Sequence, residues 1–114
     1  MSTQSRTIKD QRSVSRVKAN LSCQFSFEGL LHDAYIMNLS LNGAFLWSTF
    51  IPPKGSHVVI TLKTPLLKNG LTLESEVVRT QGAMKDGINA FAVRFSHNSL
   101  DLIELVKNLV VQHP

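Results

Sequence analysis

Two groups of residues in this 114-residue chain have types and spacings suited to chemistry, and both favour holding a ligand over transforming one. The first is Asn38-x-Ser40-x-x-Gly43, inside "YIMNLSLNGAF". It sets an amide, a hydroxyl and a residue without a Cβ where apolar side chains would pack better. Donors, acceptors and room for a close backbone approach result. Ordinary turn chemistry, in which Asn and Ser bond their own backbone, accounts for Asn42 but poorly for Asn38, four positions before the turn. The second group is Arg12-x-x-x-Arg16 in "RSVSR". A guanidinium is a planar fork that bonds bidentately to anion oxygens and stacks on flat rings, a geometry lysine lacks. In an extended chain a spacing of four puts both arginines on the same side.

Nothing in the sequence marks a reaction centre. His32, His57, His97 and His113 are far apart, without ligand pairs at i and i+4, and Cys23 is the single cysteine, so no metal site is suggested. There is no Gly-x-Ser-x-Gly elbow, no phosphate-binding Gly-rich loop and no dinucleotide fingerprint. The residues describe a binding module, not an enzyme, with no cofactor.

Charge separates the chain into two parts. Arg6, Lys9, Arg12, Arg16 and Lys18 against Asp10 account for the whole formal charge of +4, and acidic and basic residues balance from residue 19 onward. The stretch "MSTQSRTIKDQRSVSR" is poor in apolar residues and rich in Ser, Thr and Gln, so it cannot bury enough surface to fold alone. It is expected to be a flexible basic arm, at residues 1–11, leading into a single domain over residues 12–114. No segment approaches the roughly 20 apolar residues of a membrane span or shows the order of a signal peptide, and a lone cysteine forms no internal disulfide. A soluble, cytoplasmic protein without membrane insertion is expected.

The elements that must position the two groups are strands. In "LSCQFSF", Leu21, Cys23, Phe25 and Phe27 alternate with polar residues, the pattern of a half-buried strand. Glu28-Gly29 turns the chain into "HDAYIMNL", and Asn42-Gly43 reads as a hairpin turn into "AFLWS". After Pro52, Pro53 and Gly55 come "HVVITLK", then "LTLESEVVRT" and "INAFAVRF", separated at Asn69-Gly70 and Asp86-Gly87. Six strands joined mainly by hairpins favour a mainly β fold, a six-stranded antiparallel β-barrel, which also removes exposed sheet edges. Leu102, Leu105, Val106, Leu109 and Val110 then follow helical spacing after a capping Asn98 or Ser99, so one C-terminal α-helix is expected to cover a barrel end.

Arg12-x-x-x-Arg16 followed by Asn38-x-Ser40-x-x-Gly43, with "VRF" (Val93-Arg94-Phe95) ending the last strand before a helix, resembles the PilZ domain family, whose paired signatures are RxxxR and [D/N]xSxxG. That resemblance implies a receptor for cyclic di-GMP, a bacterial second messenger, acting on a protein target. Arg12, Arg16, Asn38, Ser40 and Gly43 would then be its ligand-binding residues. Arginine fits both parts of such a ligand, since its fork bonds guanine O6 and N7 or phosphate oxygens. Asn38 would accept from guanine N1–H or N2–H, Ser40 would offer its hydroxyl, and the arm would close over the ligand. Gln11 stands where many members carry a further arginine, a position that influences whether one ligand or an intercalated pair is held. Asn42 and Ala92 stand where glycine is frequent, and Arg79 is a candidate for stacking on a guanine. Some family members bind no nucleotide and serve as interaction proteins, so an adaptor is the alternative. DNA or RNA is not expected, because the barrel is charge-neutral and its strands show few aromatics placed for base stacking.

Overall fold

Alternation of apolar and polar residues folds the chain into six strands: β1 (Val17–Phe27), β2 (Leu30–Leu39), β3 (Gly43–Ser48), β4 (His57–Leu62), β5 (Leu71–Gln81) and β6 (Asn89–Phe95). A single helix follows, α1 (Leu100–Gln112). These elements come from a computed structural model that describes residues 17–82 and 87–112. Gln11, Arg12, Arg16 and the remainder of the basic arm lie outside the described residues.

The strands close into an antiparallel barrel in the order β1-β2-β3-β6-β5-β4, as the hairpin pattern predicted. The seam is short, for β1 meets β4 only from Gln24 to Ser26. The tightest turn lies between β1 and β2, where Phe27 pairs with Leu30 and the two loop residues, Glu28 (φ 51°) and Gly29 (φ 82°), both have positive φ. That is the mirror-image turn whose twist matches antiparallel strands, and it places Glu28 where glycine or asparagine is the easier choice.

One set of side chains from every strand points inward. Val58, Ile60 and Leu62 of β4, Leu73 and Val77 of β5, and Phe91 and Val93 of β6 are buried, together with Ile36, Leu39 and Leu46. Phe25, with no exposed surface, is the aromatic centre: its ring lies 5.1 Å from that of His32 and 5.2 Å, edge-on, from Phe91. Phe50 stacks on His32 at 4.3 Å and also lies 6.5 Å from Phe25, so the three rings form a cluster. Burial pushes the Cys23 thiol up to about 12, with the negative charge of Asp33 adding to the effect, so this cysteine is held as a neutral, inert side chain.

Helix α1 opens with a Ser99 cap, whose Oγ accepts from the Leu102 amide at 3.1 Å, and Asp101 lies in its first turn. Leu102, Leu105, Val106 and Leu109 join the barrel core, and the helix packs against β1. Val110, expected on the same stripe, is 41% exposed, because four residues after Val106 the stripe has rotated past the barrel wall.

Replacing Phe25 by Ala would remove the ring around which the core aromatics pack. The expected loss is about 3–5 kcal/mol of unfolding free energy, measured by denaturant titration, with the m-value unchanged if the barrel itself persists.

Candidate ligand-binding site

Strict alternation along β2 would point Asn38 inward, since Ala34 and Ile36 both face the core. A bulge prevents this. Ile36 pairs with Leu46 and Asn38 with the adjacent Phe45, leaving Met37 as an extra residue that reverses the parity of the strand. Asn38 therefore faces out while Leu39 returns to the core. The same device recurs on β5. Val77 pairs with Val93 and Arg79 with the adjacent Ala92, so Val78 is extra and Arg79 turns outward after the inward run Leu71, Leu73, Ser75, Val77. Two bulges thus bring Asn38, Phe45, Ala92 and Arg79 into one row across β2, β3, β6 and β5 on the outer wall.

That row lies in a groove of about 550 Å³, which Ser40, Asn42, Gly43 and Arg94 also line. The sequence-predicted residues Asn38, Ser40, Asn42, Gly43 and Arg79 are all brought together here. Arg12 and Arg16 lie outside the described residues, but their attachment point is defined. Val17 pairs with Leu39, a groove residue, and Lys18 pairs with Asn38.

Between β2 and β3 the chain reverses through residues 40–42, and the Ser40 side chain organises that reversal. Its Oγ accepts from the amides of Asn42 and Gly43, both at 3.1 Å, and donates to the Gly43 carbonyl at 3.2 Å. A hydroxyl has one donor and two acceptor sites, so this one is fully used. The Ser40 amide bonds the same carbonyl at 2.9 Å, and the Asn42 carbonyl accepts from the Phe95 amide at 2.8 Å. The hairpin that the sequence places at Asn42-Gly43 is present, joining β2 to β3, but neither residue has positive φ, and Gly43 begins β3.

Gly43 is required by a different close approach. A Cβ at this position would collide with the Val93 carbonyl oxygen on β6, so the glycine lets β3 and β6 meet at the groove edge. The neighbour opposite Gly43 is Arg94, whose Nη2 donates to Oε1 of its cross-strand partner Glu76 on β5 at 2.7 Å.

Sequence reasoning missed Phe45, Val78 and Arg94 as groove residues. Period-two alternation could have placed Phe45 outward, opposite to the buried Ala44 and Leu46, whereas the bulge at Val78 leaves no mark in a single sequence. The outer wall is also more aromatic than expected: Tyr35 is 52% exposed and pairs with Trp47, two residues from Phe45 on the same face. The Trp47 Nε1 is buried without a hydrogen-bond partner among the described residues.

The sequence model of the PilZ domain matches residues 10–112, and the chain belongs to the PilZ domain family. No curated protein matches it by sequence. Among solved structures it is similar to the Bacillus subtilis inhibitor of motility MotI/DgrA, with a TM-score of 0.69 at 16% identity over 86% of this chain and 49% of that one. It is also similar to the PilZ domain of CeSA from a cellulose-synthesizing bacterium, with a TM-score of 0.61 at 13% identity over 87% and 98% of the two chains. A third similar structure is PlzA of Borreliella burgdorferi in complex with c-di-GMP, with a TM-score of 0.56 at 9% identity over 95% and 56%. At these identities the likeness is one of fold, and this chain spans about half the length of MotI/DgrA and of PlzA.

Within the motif, Ser40 and Gly43 shape the backbone, whereas Asn38 lines the groove. Ser40→Ala should cost about 1–3 kcal/mol, because two turn amides lose their acceptor, and Gly43→Ala about 1–3 kcal/mol through overpacking at β6. Asn38→Ala, on the outer wall, should stay within about 0.5 kcal/mol of the parent. Thermal and denaturant unfolding of the three variants checks the split.

Proposed function

We propose that the protein is a cyclic di-GMP receptor that binds the nucleotide in the groove beside Asn38 and Gly43, closes Arg12 and Arg16 over it, and signals to a protein target. One observation carries the reading: the [D/N]xSxxG motif lines a groove whose rim is the point where the RxxxR segment joins the barrel. Val17 pairs with a groove residue, so Arg16 is tethered at the groove by one peptide bond. Arg12, five residues before Val17, has a reach of roughly 17 Å in extended chain. Membership of the PilZ family and the fold shared with the c-di-GMP complex of PlzA support the same reading.

The proposed division of labour follows from the geometry. Asn38 reads the edge of a guanine through its amide, while Ser40 and Gly43 act by fixing the turn and the β3–β6 contact that aim it. The two phosphodiesters need cations, and the arginines before Val17 supply them. The receptor functions in the cytoplasm, as a binding protein and not as a catalyst. Among the described residues no helix is long and apolar enough to cross a membrane, and no cluster of His, Cys, Asp and Glu is placed to hold a metal ion.

Calorimetric titration tests the reading directly. Cyclic di-GMP should bind and GMP and GTP should not compete at comparable concentration, since only the cyclic ligand presents two guanines and two phosphates together. Comparable binding of GMP would overturn it.

The arginines give a second test. Arg12→Ala and Arg16→Ala should each weaken binding by at least the ~1–3 kcal/mol of a bidentate arginine contact. Unfolding should change little, because the core formed from Val17 onward is closed without them. Affinity of the parent protein should fall as salt rises, and each variant should show a shallower salt dependence. Trp47 provides the fluorescence signal for these titrations.

A further inference from the structure

We infer that the outward face of α1 is a dimerisation seam, on which a second copy of this chain lays its own α1 antiparallel. The inference does not depend on the cyclic di-GMP reading and concerns a different surface.

The helix carries two apolar stripes where its contact with the barrel needs one. Leu102, Leu105, Val106 and Leu109 are buried in the core. Leu100, Ile103 and Val110 lie on the other side of the helix and are 83%, 37% and 41% exposed. Each residue advances about 100° around a helix axis, so positions 100, 103, 107 and 110 fall within an arc of about 80°. Lys107 occupies the one place in that stripe without an apolar residue. Isolated exposed leucines are ordinary on a protein surface. Successive intervals of three, four and three residues, however, are those of the first and fourth positions of a heptad, the spacing by which two helices keep a narrow seam in contact.

The charges select both the occupant and its direction. Asp101 and Glu104 lie in the N-terminal half of α1 and Lys107 in the C-terminal half. Two copies laid parallel would set Lys107 against Lys107 in the seam. Laid antiparallel, they place the two-fold axis beside Leu105, so that Leu100 of each copy meets Val110 of the other and Ile103 meets the stem of Lys107. A lysine stem covers apolar surface while its head stays in water. Each Lys107 ammonium then comes beside Glu104 of the other copy, and neither residue forms an ion pair within the described residues of one chain. The same patch serves both copies, as a two-fold interface requires. Ten residues at 1.5 Å give a seam about 15 Å long, which makes a weak, concentration-dependent dimer and not an obligate one.

Sedimentation of the full chain across a concentration series tests the seam. The parent protein should pass from monomer to dimer as concentration rises. Leu100→Glu should weaken dimerisation roughly tenfold or more, the loss of one buried leucine, and Lys107→Glu should weaken it several-fold by bringing like charges together. Combining Lys107→Glu with Glu104→Lys should restore it. All three positions are exposed, so unfolding of these variants should match the parent. Disulfide trapping reads the direction, because the single native cysteine, Cys23, is buried and does not compete. Leu100→Cys mixed with Val110→Cys should cross-link, and neither should cross-link with itself. A parent protein that stays monomeric throughout the series overturns the seam, and so does a dimer that Leu100→Glu leaves intact. Self-linking of Leu100→Cys would overturn the antiparallel arrangement. The receptor reading stands or falls separately, on the cyclic di-GMP titration.

Discussion

The outer wall of this barrel depends on two residues that contribute no chemistry of their own, Met37 and Val78. Side chains along a strand alternate between core and solvent, and a barrel built from unbroken alternation would draw Asn38 and Arg79 inward behind Ile36 and Val77. One extra residue in β2 and one in β5 reverse the parity at the same level of the barrel. Both polar side chains then emerge at the two ends of one row, whose middle positions on β3 and β6 are Phe45 and Ala92. The bulges leave the core intact, because Leu39 and Val77 still pack inside it.

The second constraint is the contact of β3 with β6 at the groove edge. Ser40 uses its entire hydrogen-bonding capacity to shape the reversal, and Gly43 gives up its side chain so that the Val93 carbonyl can approach. Two of the three motif residues thus act on the protein's own backbone, and Asn38 is the one with a side chain aimed at the groove. A motif that marks a binding site in sequence need not consist of contacts to the ligand. It can also encode the geometry that makes contact possible.

Much of the fold was legible because hydrophobic periodicity is a local signal. Leu21, Cys23, Phe25 and Phe27 announce a strand without any knowledge of their partners, and Ser99 followed by Leu102, Leu105 and Leu109 announces a capped helix. The site was legible in part for the same reason: a polar residue in an apolar run is visible at once. What escaped was pairing. The row Asn38–Phe45–Ala92–Arg79 joins residues from four strands, and its alignment is set by register shifts that cost only one residue each. The hairpin signal at Asn42-Gly43 located the reversal between β2 and β3 but not its conformation, since the dipeptide is held in ordinary backbone space by Ser40, and the left-handed pair falls on Glu28 and Gly29.

Electrostatics explains why the proposed receptor would need its arm. From residue 19 onward acidic and basic residues balance, and within the groove Arg94 is already paired with Glu76. That pair is largely exposed and so contributes little to stability, but it reduces the positive potential that Arg94 would otherwise present. The barrel therefore provides flat faces, hydrogen-bond edges and one further guanidinium at Arg79, a surface suited to reading bases and poorly suited to compensating two phosphodiester charges. The excess positive charge of the chain is concentrated before residue 19, and the register of Val17 with Leu39 attaches that segment at the groove. On the proposed reading, specificity resides in the wall and charge compensation in the arm. The nucleotide would be held only when the two act together, so binding and arm closure would be one event, and the surface presented to a protein target would change with it.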